Sequence, residues 1–89
     1  MFPKTLDDAA VLFYTEKGDY GAVYSVTGDV SDRVYFLAIC RYENANEYYL
    51  FGCDENYDVV SDSLWGSVEE CQRVAEASCT ETPLWIPMA

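Results

Sequence analysis

One apolar run constrains the fold of this chain more than any other feature. Residues 33–42, Arg-Val-Tyr-Phe-Leu-Ala-Ile-Cys-Arg-Tyr, are almost continuously apolar, which is typical of a central strand covered on both sides. A short polar turn follows at 43–46, and residues 47–53, Glu-Tyr-Tyr-Leu-Phe-Gly-Cys, form a second run rich in aromatic residues. Two strong strands around a four-residue turn predict a β-hairpin.

The segments on either side of this hairpin predict further strands. Residues 9–15 and 22–26 are rich in β-branched and aromatic residues, which favours two strands before the hairpin. An alternative places residues 5–14 on a short helix opened by Thr5, but we favour the strand. After the hairpin, Val59-Val60 fits a short additional strand.

A helix is predicted near the carboxyl end. The segment Ser67-Val68-Glu69-Glu70 has the pattern of a capping box, so we expect a helix from about 68 to 79. Spacing at i, i+3, i+7 and i+11 places one apolar set on a single face: Val68, Cys71, Ala75 and Cys79. Trp85 follows and is expected to pack back onto the sheet or the helix end.

These elements predict the fold class. The 89 residues fit one domain, so residues 1–89 are expected to form a single α+β domain. It would contain an antiparallel sheet of three to five strands with one C-terminal helix packed on one face.

The charge of the chain limits its partners. Sixteen acids and five bases give a formal net charge of −11. Direct binding to nucleic acid or to an anionic membrane is therefore disfavoured, because both need lysine and arginine. The complementary partner is a basic protein, such as a toxin or a nucleic-acid-binding protein. The alternative is that the charge serves only solubility.

The cysteines and the hydropathy pattern indicate the compartment. Cys40, Cys53, Cys71 and Cys79 are irregularly spaced and could pair in three ways, but buried free thiols are the better prediction for a cytoplasmic protein. No apolar run approaches the roughly 18 residues that span a bilayer, and the amino terminus turns acidic before an apolar stretch forms. We therefore expect a cytoplasmic location and no membrane contact.

The residue types argue against catalysis and against a metal or cofactor. The chain has no histidine, so histidine-dependent nucleophilic catalysis is excluded within one chain. The sequence also lacks the Cys-x-x-Cys pair that is typical of a zinc site. Asp54, Asn56 and Asp58 open a calcium-loop pattern, but Val59 and Trp65 stand where that pattern needs glycine and glutamate. Carboxylate pairs leave an enzyme as the least favoured alternative, and we expect no catalytic residues, metal or cofactor.

Tyrosines beside acids suggest a binding surface. Tyrosine is enriched in interfaces and can stack on arginine, while carboxylates can pair with it. The alternative is that tyrosine simply favours strands. Eight residues are predicted to contact a basic partner: Tyr42, Glu43, Glu47, Asp54, Glu55, Tyr57, Asp58 and Asp62.

A second indication comes from a resemblance over residues 47–85. The pattern comprises Tyr49-Leu50-Phe51, Cys53-Asp54-Glu55-Asn56, Asp62, Ser67-x-Glu69-Glu70, Ala75 and Trp85. It resembles a pattern in small, poorly characterised bacterial proteins, some of them immunity proteins of toxin–immunity systems. The resemblance implies an intracellular protein that blocks a toxin by direct contact, and it assigns no site residues.

The leading hypothesis is therefore a non-catalytic inhibitor of the immunity-protein type that binds a basic partner such as a nuclease toxin. Two alternatives remain. One is a nucleic-acid mimic that binds a DNA-binding protein, and the other is a subunit that self-associates, for example as a homodimer.

Overall fold

A computed structural model describes residues 1–79 and 81–89, and its centre is the predicted antiparallel hairpin. In chain order the elements are β1 (Thr5–Leu6), β2 (Ala9–Tyr14), β3 (Ala22–Tyr24), β4 (Val30–Arg33), β5 (Phe36–Arg41), β6 (Tyr48–Cys53), β7 (Val59–Trp65), α1 (Val68–Ser78) and β8 (Ile86–Pro87). The fold class is α+β, with mostly antiparallel strands in a curled sheet and one helix packed against it, as the sequence predicts.

The main sheet has six strands in the order β1-β2-β5-β6-β7, with β8 pairing with β2. One side of β2 pairs with β5, while its other side is covered at the start by β1 and at the end by β8. The sheet exceeds the predicted three to five strands because β1 and β8 have only two residues each, too few to leave a pattern in the sequence. The preferred strand over 9–15 is confirmed, and the helical alternative is wrong.

Both faces of the sheet are buried, because strand alternation sends apolar side chains of β5 and β6 to each side. On the helix face, Leu37, Ile39 and Leu50 pack with Cys71 and Ala75 of α1. The opposite face, here called the aromatic face, carries the other buried cluster: Phe2, Leu6, Ala9, Val11, Phe36, Ala38, Cys40, Phe51 and Cys53. The amino-terminal residues cover this second face, so the hairpin lies between two layers.

The helix begins at its predicted cap. The Ser67 hydroxyl accepts a hydrogen bond from the Glu70 amide at 3.1 Å, which satisfies one of the free donors of the first turn. Cys71 and Ala75 are buried, and Val68 and Cys79 are partly buried against the same cluster, so the predicted face is confirmed. Trp85 packs against this cluster as well.

The strand predicted over residues 33–42 is divided in the structure. Arg33 pairs with Ala22 in a separate two-stranded sheet formed by β3 and β4, which we call the arm. The Val34 amide donates to the Gly21 carbonyl at 2.9 Å, which extends this pairing by one residue, and β5 then begins at Phe36. Strand β7 is also longer than the Val59-Val60 pair predicted from sequence.

None of the helices in the described residues is long and apolar enough to cross a bilayer.

Candidate binding surface

The fold separates the eight predicted contact residues into three places. Tyr42, Glu43 and Glu47 lie at the turn between β5 and β6, whereas Asp54, Glu55, Tyr57 and Asp58 lie at the turn between β6 and β7. Asp62 lies between these ends, in the middle of β7. The two turns are at opposite ends of β6, a strand of six residues, so roughly 20 Å separates them.

At the β5–β6 end, Tyr42 makes its contacts within the protein itself. The Tyr42 hydroxyl donates to the Asp7 carbonyl at 2.8 Å, and its ring packs edge-on against Tyr49 with centroids 5.5 Å apart. Burial, with the nearby charge of Asp7, raises the pKa of the Tyr42 phenol. The exposed acids at this end are Glu43 and Glu47, and these carboxylates are accessible to a partner.

At the β6–β7 end, two of the predicted residues hold the turn. The Asp54 carboxylate accepts hydrogen bonds from the amides of Asn56 at 2.9 Å and Asp58 at 3.0 Å, an arrangement typical of an Asx turn. Tyr57 has φ of +66°, and its ring stacks on Phe36 with centroids 4.6 Å apart. Asp54 and Tyr57 therefore shape the turn, and the exposed carboxylates belong to its other acids.

Because the Asp54 carboxylate holds the turn and the Glu55 carboxylate is exposed, substitutions at these two positions should have different effects on stability. Asp54→Ala is expected to lower the free energy of unfolding by about 1–2 kcal/mol, because two turn amides lose their acceptor. Glu55→Ala is the matched control. The Glu55 carboxylate makes a solvent-exposed ion pair with Lys17 at 3.6 Å, so its loss should cost under about 1 kcal/mol.

Urea unfolding monitored by tryptophan fluorescence would measure both values. If Asp54→Ala were no more destabilising than Glu55→Ala, the turn would not depend on the Asp54 carboxylate.

The acids between Arg41 and Arg73 form the most uniform charge feature of the chain. Residues 42–72 contain eight acids and no base, and they form β6, β7 and the first turn of α1. Of these eight acids, only Glu55 has a basic side chain within 4 Å in the described structure. The negative charge of this stretch is therefore largely uncompensated by the protein itself.

Strand β7 extends well beyond the Val59-Val60 pair that the sequence predicts. The strand pairs with β6 from Val59 to Trp65, and in the described residues no strand pairs with its outer side. The middle of the strand is Ser61-Asp62-Ser63, which is polar and has little intrinsic preference for a strand, so no local signal in the sequence indicates its length.

A groove of about 450 Å³ crosses the helix face beside β7. Its walls are the carboxyl-terminal half of α1 and the base of the arm, and Leu37, Leu50 and Gly52 contribute to its lining. A Cβ atom at Gly52 would lie 2.3 Å from the Ser61 Oγ atom and 3.1 Å from a methyl of Val34. Because Gly52 has no side chain, the side chains of Ser61 and Val34 occupy the space above it at one side of this groove.

The thiols are not activated as nucleophiles. All four cysteines are free, and burial raises the pKa of Cys40 and of Cys53 to about 12 and that of Cys71 to about 11. A reactive cysteine needs a lowered pKa, so these three side chains serve as small core residues. Groups of three or more acids or cysteines able to hold a metal ion are not found among residues 1–79 and 81–89.

Comparisons with protein-family models, with curated proteins and with solved structures find no match to this chain.

Proposed function

We propose that this protein is a non-catalytic inhibitor that binds a basic protein partner by direct contact, as an immunity protein binds its toxin. The observation that carries the proposal is the stretch of residues 42–72, which has eight acids and no base. Uncompensated surface charge of one sign attracts a partner of the opposite sign and favours it over neutral competitors. A nuclease toxin fits this requirement, because a surface that binds nucleic acid is basic.

The proposal includes a cytoplasmic location. Its support is that the four cysteines are free thiols and three of them are buried. Reducing compartments preserve thiols in this state, whereas secreted domains of this size commonly carry disulfides.

Salt-dependent capture tests the proposed function. The protein is immobilised at low ionic strength, exposed to lysate of its source, and eluted with salt. We expect a basic protein to be retained and released by salt. Its association rate, measured with the purified partner, should fall by about tenfold or more between low and high salt, because steering by charge is screened.

A pair of variants with equal net charge makes the test specific. The first neutralises acids within residues 42–72 (Glu47→Gln, Glu55→Gln, Asp58→Asn), and the control neutralises three exposed acids outside it (Glu16→Gln, Asp29→Asn, Glu76→Gln). The first variant should associate several-fold more slowly than the control. Equal rates for both, or a rate insensitive to salt, would contradict the proposal.

A further inference from the structure

The outer side of β7 is an open sheet edge. At the other side of the sheet, β2 is covered by β1 and β8, but β7 pairs only with β6 among the described strands. The strand has seven residues, more than any other in the sheet. An edge of this length presents a row of free amide and carbonyl groups, which is a template for one more strand.

The side chains of β7 determine which strand could be added. Asp62 is the fourth of its seven residues and lies opposite Phe51, while Leu64 lies opposite Tyr49. Directly opposed residues share a face of the sheet, so Asp62 and Leu64 both lie on the aromatic face. Both are exposed, and Leu64 keeps 44% of its surface accessible.

The position of Asp62 argues against a second copy of this chain as the occupant. Two copies of β7 paired in antiparallel fashion over their full length would place Asp62 directly opposite Asp62. Opposed like charges destabilise a strand pair, and a charge on an edge strand is a known device against self-pairing. The same carboxylate is complementary to a lysine or arginine on an added strand.

We propose that β7 is a docking edge to which the basic partner adds an extended segment of its own chain as a seventh strand of the main sheet. This proposal rests on the proposed function and specifies its contact. Backbone hydrogen bonds to β7 would supply affinity, and side chains at alternate positions would supply specificity. The segment carries lysine or arginine opposite Asp62 and an apolar residue two positions away, opposite Leu64.

The helix face provides a second selective feature. There β7 presents Ser61 and Ser63, opposite Gly52 and Leu50, and residues 61–63 form one side of the groove described above. Because these side chains are small, the alternate side chains of an added strand can extend toward the groove between α1 and the arm. The intervening positions of the segment are therefore apolar or small and uncharged.

A library of random ten-residue peptides is the probe for this site, selected on the immobilised full-length protein. The enriched peptides are expected to share a lysine or arginine with an apolar residue two positions away. When such a peptide binds, hydrogen–deuterium exchange should slow at amides within residues 59–65 and remain unchanged at the exposed acids of the β5–β6 turn.

Charge reversal separates strand addition from general attraction. Asp62→Lys should weaken binding of a selected peptide about tenfold, whereas Asp58→Lys, just outside the strand, should weaken it less than threefold. A peptide with glutamate in place of its basic residue should bind Asp62→Lys better than it binds the unmodified protein.

Three outcomes would overturn the proposal. The first is that no basic peptide is enriched, and the second is that enriched peptides leave the amides of 59–65 exchanging freely. The third is that the protein alone sediments as a dimer with these amides already protected. A basic protein captured by salt-sensitive binding that leaves β7 unprotected would overturn strand addition while the proposed function stands.

Discussion

Substitution of Phe51 by alanine is expected to lower the free energy of unfolding by about 3–5 kcal/mol. Phe51 keeps only 2% of its surface exposed in the cluster of the aromatic face, and its ring stacks on Tyr49 with centroids 5.3 Å apart. It lies in β6, which is fixed by β5 on one side and β7 on the other. The neighbouring strands therefore cannot collapse fully into the space left by the ring, and a cavity remains.

The effect is large relative to the stability available to a domain of this size. At about 0.05–0.15 kcal/mol per residue, a chain of 89 residues is stable by about 4–13 kcal/mol. The variant would lose a substantial part of this free energy of unfolding and would unfold at a markedly lower urea concentration. Equilibrium urea unfolding measured by tryptophan fluorescence gives the difference.

Two comparison variants define what the result means. Leu84→Ala removes an apolar side chain that is 79% exposed, so it should change the free energy of unfolding by less than about 0.5 kcal/mol. Ile39→Ala removes a side chain with 0% exposure on the helix face and should cost about 2–5 kcal/mol. If Phe51→Ala resembled Leu84→Ala rather than Ile39→Ala, the aromatic face would not be part of the core.

This two-sided core explains why the central hairpin could be predicted from sequence. Because β5 is buried on both faces, its residues are apolar at successive positions rather than at alternate ones, and this leaves the strongest signal in the chain. The helix could be predicted for a different reason. Its cap is formed by Ser67 and Glu70, which are only three residues apart, so the whole interaction is visible in a short segment.

The sequence predicts the strand at 22–26, part of which is β3, and the start of β7 at Val59-Val60. Strand β4 and the full length of β7 could not be predicted, because they depend on distant partners. Strand β4 is Val-Ser-Asp-Arg, which is mostly exposed, and β7 contains Ser61-Asp62-Ser63. Serine and aspartate have little intrinsic preference for strands. These residues are extended because β3 and β6 provide hydrogen-bonding partners, and a local pattern does not contain that information.

The same limitation applies to the candidate surface. Tyr42 and Asp54 are residue types that are common in interfaces, yet both make contacts within the protein. The Tyr42 hydroxyl donates to the Asp7 carbonyl, 35 residues away, and the Asp54 carboxylate accepts from an amide of its own turn. Sequence identifies which segments carry charge, but it does not show which polar atoms the fold already uses. It also does not show that an antiparallel strand carries neighbouring acidic turns to opposite ends of a sheet.

The thiols of Cys40 and Cys53 are expected to be alkylated at pH 8 about 10³-fold more slowly than an unperturbed thiol. Burial, with nearby charges, raises the pKa of each to about 12 from an ordinary value of 9.0. The thiolate is the reacting species, and each unit by which the pKa is raised lowers the fraction of thiolate about tenfold. Cys79 is only partly buried and should react first. Mass spectrometry after timed treatment with iodoacetamide would give the order.

The raised pKa values also predict a loss of stability in alkali. Because the unfolded chain releases its thiol protons near pH 9 and the folded chain near pH 12, rising pH favours the unfolded state between these values. The stability contributed by the protonated thiols is complete below about pH 9 and falls as pH rises through this window. The unfolding temperature should therefore decrease more steeply from pH 9 to 11 in the unmodified protein than in a Cys40→Ala, Cys53→Ala variant.

The double variant is the control for this slope, because tyrosines and lysines also titrate in alkali and are the same in both proteins. The comparison uses the change of the unfolding temperature with pH in each protein rather than its absolute value. Equal slopes in the two proteins, or alkylation of Cys40 as fast as that of Cys79 in the folded state, would contradict the burial of these thiols. The expected result would show that the side chains of Cys40 in β5 and Cys53 in β6 are closed off from solvent on the aromatic face.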